Sequence, residues 1–244
     1  NEAPTTKNGN HNKKKDPKKL VAKRRFKIFL TTITSIILLY SILMYFYSTS
    51  KINEAKAYYE KALIRYDLED FNRAKEDIEN IEYIYYDLKS LPFFHFNYKV
   101  FEDSFLLDGE IKLNNENYED AEKSFFEVIS LNGNNKEAYY KIGNLYGLQS
   151  KNSINSYHFD NAIEYYLKAI KLENYYVFES EFLKHIEAKN YLLAIAYCDD
   201  EIENNPRSFD GYFQKARAYN KLEDYNAAIR ENLIALNIKP NNSS

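Results

Sequence analysis

Apolar and polar residues alternate along this chain with two different periods. From Ile28 to Ser50, "IFLTTITSIILLYSILMYFYSTS", 23 residues pass without a charge. About 20 predominantly apolar residues cross a bilayer as a helix, so a membrane-spanning helix is predicted over 26–48. Beyond it, apolar residues recur every three or four positions in runs of 10–20, the spacing of amphipathic helices with one buried face. Six Gly and five Pro in 244 residues are too few for a fold of many tight turns. The pattern predicts an all-α protein.

Within the helical region one phrase returns five times. Ala74, Ala121, Ala162, Ala194 and Ala228 each follow Phe or Tyr by three residues: Phe71, Tyr118, Phe159, Tyr191 and Tyr225. The intervals between the alanines are 47, 41, 32 and 34 residues. Repetition at such periods marks a stack of small units, none of which buries its apolar face alone. Small residues, Gly143 and the five alanines among them, allow helices to approach closely, and the aromatics beside them fill the gaps.

The last two intervals and the residues around them resemble tetratricopeptide repeats. In the final unit Tyr212, Ala216 and Tyr219 fall on one helix, Tyr225, Ala228 and Ala235 on the next, and Pro240 follows. "YYKIGNLYG" supplies Tyr139, Ile142, Gly143 and Tyr146 in the same large–large–small–large order. The resemblance runs from Glu54 to Asn242. It implies an α-solenoid of about five helical hairpins preceded by a single transmembrane helix. The divisions expected are a basic disordered cytoplasmic tail over 1–25, the membrane helix over 26–48, and a first repeat over 49–88. An aromatic connector follows over 89–101, then repeats over 102–135, 136–174 (with an insertion), 175–208 (degenerate) and 209–244. The fourth is degenerate because Phe182 stands where a small residue is expected and Glu201 where a second alanine belongs. The connector, "LPFFHFNYKVF", is read as a helix start packed on the first repeat, with an aromatic docking surface as the alternative.

Charge supplies an orientation. Up to Tyr47 there are ten Lys and Arg against Glu2 and Asp16, whereas the remainder holds 23 basic and 34 acidic residues. Nine of the basic residues crowd between Lys13 and Lys27, which places the short tail in the cytoplasm and the repeats across a bacterial inner membrane, in the periplasm. The apolar stretch is long for a signal peptide and lacks an A-x-A-like ending, so an uncleaved anchor is expected. A basic head on an acidic body also argues against nucleic acid as a partner.

Candidate chemistry is sparse. His11, His95, His158 and His185 are not paired at metal-binding spacing, and Cys198 alone makes neither a thiolate site nor an internal disulfide. No G-x-S-x-G, H-E-x-x-H or glycine-rich phosphate loop occurs. No enzyme activity, metal or cofactor is expected. The resemblance instead implies protein partners, held in a concave groove of first helices that would include Leu106, Glu110, Tyr140, Asn144, Phe213 and Arg217. The Lys–Asn–Arg set that clamps a terminal carboxylate in some family members is incomplete: only Lys141 with Asn144 and Arg217 with Lys221 are in place.

Pro240 lies four residues before Ser244, which leaves no room in this sequence for a helix that covers the last hairpin. Ile229, Leu233, Leu236 and Ile238 are therefore expected to meet another subunit, in a homo- or hetero-oligomer. The function expected is a membrane-anchored scaffold for a multi-subunit envelope complex. The alternatives are a peptide- or chaperone-type binding module and a non-catalytic accessory subunit of an envelope enzyme. The layout of basic tail, single anchor and repeat array, with abundant Asn, Lys, Ile and Tyr, is similar to collar components of spirochaete periplasmic flagellar motors.

Overall fold

The computed structural model describes residues 17–91, 99–151, 156–173 and 175–239. These form ten α-helices and, among the described residues, no strand: α1 Pro17–Asp67, α2 Phe71–Lys89, α3 Lys99–Asn114, α4 Tyr118–Leu131, α5 Lys136–Lys151, α6 Ser156–Lys171, α7 Phe178–Glu187, α8 Tyr191–Asn204, α9 Phe209–Lys221 and α10 Tyr225–Ile238. The chain divides into two compact units between Asn53 and Glu54.

The first unit contains the apolar stretch of α1. From Ile28 to Leu43 its side chains are exposed, and Thr31, Ser35 and Ser41 donate to the carbonyls of Ile28, Thr31 and Ile37 at 2.8–2.9 Å. These hydroxyls are thereby satisfied without water. The helix begins at Pro17, so Lys18 to Arg25 are helical where a disordered tail was expected. Proline is tolerated at the first helical position, and Lys, Leu, Ala and Arg are good helix formers.

The second unit is a row of helical hairpins, an α-solenoid of tetratricopeptide type. Short turns build it. Glu69, Glu116, Lys189 and Glu223 adopt left-handed backbone with φ of 57–64°. The amide after each reaches back to the preceding helix: Asp70 to Arg65 O, Asn117 to Lys112 O, Asn190 to His185 O and Asp224 to Tyr219 O, at 2.9–3.0 Å. That is the six-to-one bond that closes a helix C-terminus. The same four residues are the N-caps of α2, α4, α8 and α10, where the Asp70 and Asp224 side chains accept from the amides of Arg73 and Ala227. One residue ends a helix and starts the next, so each of these four hairpins needs only three residues of turn.

Packing within the hairpins matches small against large. A Cβ on Gly109 would lie 2.3 Å from the Phe125 ring, and one on Gly143 2.5 Å from Tyr166. Ala62 and Ile78 occupy the same two positions in the first hairpin and share one buried cluster. In the fourth the order is reversed. Phe182 takes the glycine's place, and Cys198 takes that of the large partner, both fully buried in one cluster. The departure at Phe182 is thus offset sixteen residues away. Altered geometry accompanies it: α7 has ten residues, and α6 packs on α8, whereas α2, α4 and α8 pack on the first helix of the following hairpin.

Of the connector between α2 and α3, residues 92–98 lie outside the described residues, His95 included. Its end is the start of α3, where Phe101 is fully buried and sits 5.3 Å from Tyr85, ring to ring. The loop between α5 and α6, residues 152–155, also lies outside them.

Candidate interaction surfaces

The six candidate groove residues differ in their surroundings. Leu106 is buried among the helices of its own unit and presents nothing to a ligand. Glu110 is ion-paired with Lys141 and accepts from Tyr66 Oη at 3.2 Å. Tyr140 donates to Glu173 at 2.9 Å and lies 3.0 Å from the Tyr197 hydroxyl, while Tyr197 and Lys136 also reach Glu173. Burial raises the pKa of both tyrosines, so they are held as neutral donors. Burial, followed by the charges of Asp103, Glu110 and Glu137, likewise pushes Tyr59 up to about 12. These groups satisfy one another and tie neighbouring hairpins together.

Asn144 is different. It is exposed and accepts from Tyr166 Oη at 2.7 Å, at the wall of a cleft of about 820 Å³. Leu148, Phe159, Leu192 and Leu222 give this cleft its apolar lining, and Lys189 and Asp224 stand at it as charges. The lining comes from the ends of first helices, from α6 and from the α7–α8 and α9–α10 turns. The sequence signal was the insertion in the third repeat. Phe213 and Arg217 belong elsewhere. Phe213 stacks on Phe209 at 5.5 Å, and the Arg217 guanidinium lies 5.6 Å from the Phe182 ring. Lys141, committed to Glu110, is not free to clamp a carboxylate.

Of the described residues, His158, His185 and Cys198 take structural positions. His185 stacks on Tyr197 at 5.4 Å, and burial, then the charge of Lys184, lowers its pKa. His158 stacks on Tyr146 at 5.9 Å. Cys198 is buried and its thiol is pushed up by that burial, which disfavours the reactive thiolate. Among the described residues no three His, Cys, Asp or Glu converge as a metal site.

The last helix carries an open apolar stripe. Ile229, Leu233 and Leu236 are exposed, Ile238 is half-buried, and Tyr225, assigned from sequence to the repeat pattern, joins the exposed set. Of the residues assigned to packing, Ala74, Ala121, Ala162, Ala194 and Ala228 are buried.

Comparison with known proteins finds one family match and several similar structures. Residues 209–242 match the family model of the tetratricopeptide repeat. No curated protein matches the chain. Among solved structures, MamA is 17% identical over 77% of this chain and 92% of its own, with a TM-score of 0.42. Pseudomonas aeruginosa pilF is 15% identical over 77% and 78%, TM-score 0.43. YrrB, described as a TPR protein with an unusual peptide-binding site, is 17% identical over 80% and 93%, TM-score 0.43. The chain therefore carries a tetratricopeptide repeat in its last hairpin.

Proposed function

We propose that this chain is a non-catalytic, membrane-anchored scaffold that presents its repeat array outside the cytoplasm for assembly of a cell-envelope complex. The observation that carries this reading is the apolar stretch of α1, long enough to cross a bilayer and exposed from Ile28 to Leu43. In water so large an apolar surface is unfavourable; in lipid it is at rest, with its backbone bonded within the helix. The basic residues before it favour a cytoplasmic N-terminus. The acidic array then stands on the opposite side. A motor-collar component is the narrower form of this reading, supported by the likeness in layout. Locating the tagged protein in situ tests it.

The main test is fractionation and proteolysis. The chain should stay with the membrane pellet through alkaline carbonate, and protease added to spheroplasts should digest Glu54 onward. Release by carbonate, or repeats protected until the membrane is lysed, would overturn the anchor or its orientation.

The cleft beside Asn144 favours a second reading, a module that holds a partner segment. Its apolar lining and its volume suit a few side chains of a bound chain. Pull-down from solubilised membranes separates the readings: one fixed assembly supports the scaffold, many transient clients the segment-binding module, and a single enzyme the accessory subunit.

A further inference from the structure

First helices of the hairpins repeat one set of docking positions. Aligned on Ala62, Gly109, Gly143 and Ala216, the residue two places on is Ile64, Ile111, Leu145 and Ala218. Five places back stand the small residues Ala57, Ser104, Ala138 and Gly211. Of the four later hairpins three bury both positions, with Ile111 and Leu145 1% exposed; in the fourth, aligned on Phe182, Lys184 and Val177 are exposed because α6 packs on α8 instead of α7. In α1 they are open: Ile64 is 61% exposed, Ala57 is exposed, and Leu68 at the following turn is 73% exposed.

The last helix has the matching half. The α8–α9 junction shows how the halves meet. Asp199 pairs with Lys215 at 2.5 Å, and a Cβ on Gly211 would lie 2.9 Å from Ile202 Cγ1. Thirty-four residues on from Ile195, Asp199 and Ile202 stand Ile229, Leu233 and Leu236. Ile195 is fully buried, whereas Ile229 is 58% and Leu233 57% exposed.

We propose that the array joins a second copy of itself head to tail, α10 of one copy lying on the Ala57–Leu68 face of α1 in the other as α9 lies on α8. This deepens the scaffold reading and rests on it, but fractionation does not detect it. The occupant is a second copy because one chain carries both halves of a junction it already makes internally. Charge agrees. After Tyr47 the chain is acidic, 34 residues against 23, so a contact between copies is favoured where acids stand off its centre, as Glu60 and Asp67 do on α1. None of Ala57, Lys61, Ile64 and Leu68 is acidic, and the only acid on α10, Glu231, is buried beside Arg230. Where the internal junction sets Lys215 against Asp199, this one sets Lys61 against Leu233. Its methylenes can lie on the leucine while the ammonium reaches water. A head-to-tail contact uses different surfaces on the two partners, and so builds a ring or a filament.

Disulfide trapping in membranes of cells producing the full chain tests this. Ala57 and Leu236 correspond to Gly211 and Ile202, so their Cβ atoms should come within the roughly 3.5–4.5 Å that a disulfide spans. Differently tagged Ala57→Cys and Leu236→Cys chains, co-produced and oxidised, should give a mixed dimer, and the double variant a ladder of multimers. Neither single variant should cross-link alone. Ile64→Glu, on the exposed face, should abolish the mixed dimer without loss of the protein. A Leu236→Cys dimer formed by itself would mean that α10 pairs with α10. Absence of the mixed dimer would mean that something other than a second copy covers this end. Either result overturns the head-to-tail contact, and neither bears on whether the chain is anchored.

Discussion

The turns are where single residues reveal most about how this array is made. A non-glycine residue in the left-handed region costs roughly 1–2 kcal/mol, because its Cβ crowds the following carbonyl. Yet three of the four short turns place Glu there, and the fourth Lys. The array tolerates this because the amide that follows is bonded back to the preceding helix and the next side chain caps the next helix. Glycine at these sites removes the clash but loosens the unfolded chain. Glu116→Gly is therefore expected to stabilise by about 0.5–1 kcal/mol. Glu116→Gln, which removes the charge and keeps the Cβ, should change little. Thermal melts of the two variants decide the matter. Equal shifts would mean that charge rather than backbone strain governs the turn.

At the scale of the helices, the fourth hairpin shows that the repeat conserves volume rather than residue type. Phe182 on α7 and Cys198 on α8 exchange the sizes that Gly143 and Tyr166 have in the third hairpin. Phe182→Ala should cost about 3–5 kcal/mol as a cavity, and Cys198→Phe about 1–3 kcal/mol by overpacking. Combined, they restore the order of the third hairpin, and the double variant should be more stable than the sum of the singles by at least about 1 kcal/mol. Additive losses would show that the two side chains do not share a space. This pairing explains what was legible in the sequence. Helix positions followed from the apolar period and the aromatic–alanine phrase, because those constraints are local. Phe182 read alone looked like a defect, because its compensation lies on another helix. The partners of the candidate groove residues were hidden for the same reason. Glu110 and Tyr140 occupy first-helix positions suited to a ligand, but Lys141, Glu173 and Tyr197 engage them from neighbouring positions that periodicity does not relate. The cleft beside Asn144 was hinted at only by an insertion.

For the whole molecule, the repeat architecture implies that stability is local, each hairpin depending on its neighbours and little else. The α8–α9 junction is the place to test it. There Asp199 and Lys215 lie 2.5 Å apart with only 24% and 17% of their side chains exposed, and Glu231 of α10 adds a second carboxylate nearby. Burial raises the Asp199 pKa, and Lys215 opposes that shift. Lys215→Met would keep the packing but leave Asp199 without its cation. The cost should be about 2 kcal/mol, less than the roughly 3–5 kcal/mol of a fully buried pair, because water still reaches this one. In a globular domain that loss would be shared by every element. In an array it should fall on α9 and α10 alone. Hydrogen exchange on the full chain in detergent micelles separates the two cases. Amides of α9 and α10 should exchange about thirty-fold faster in the variant, as a local opening about 2 kcal/mol easier requires, while those of α3 to α6 keep their rates. Uniform acceleration from α3 to α10 would show that the hairpins unfold as one body, and that the array lacks the nearest-neighbour independence its sequence repeats imply.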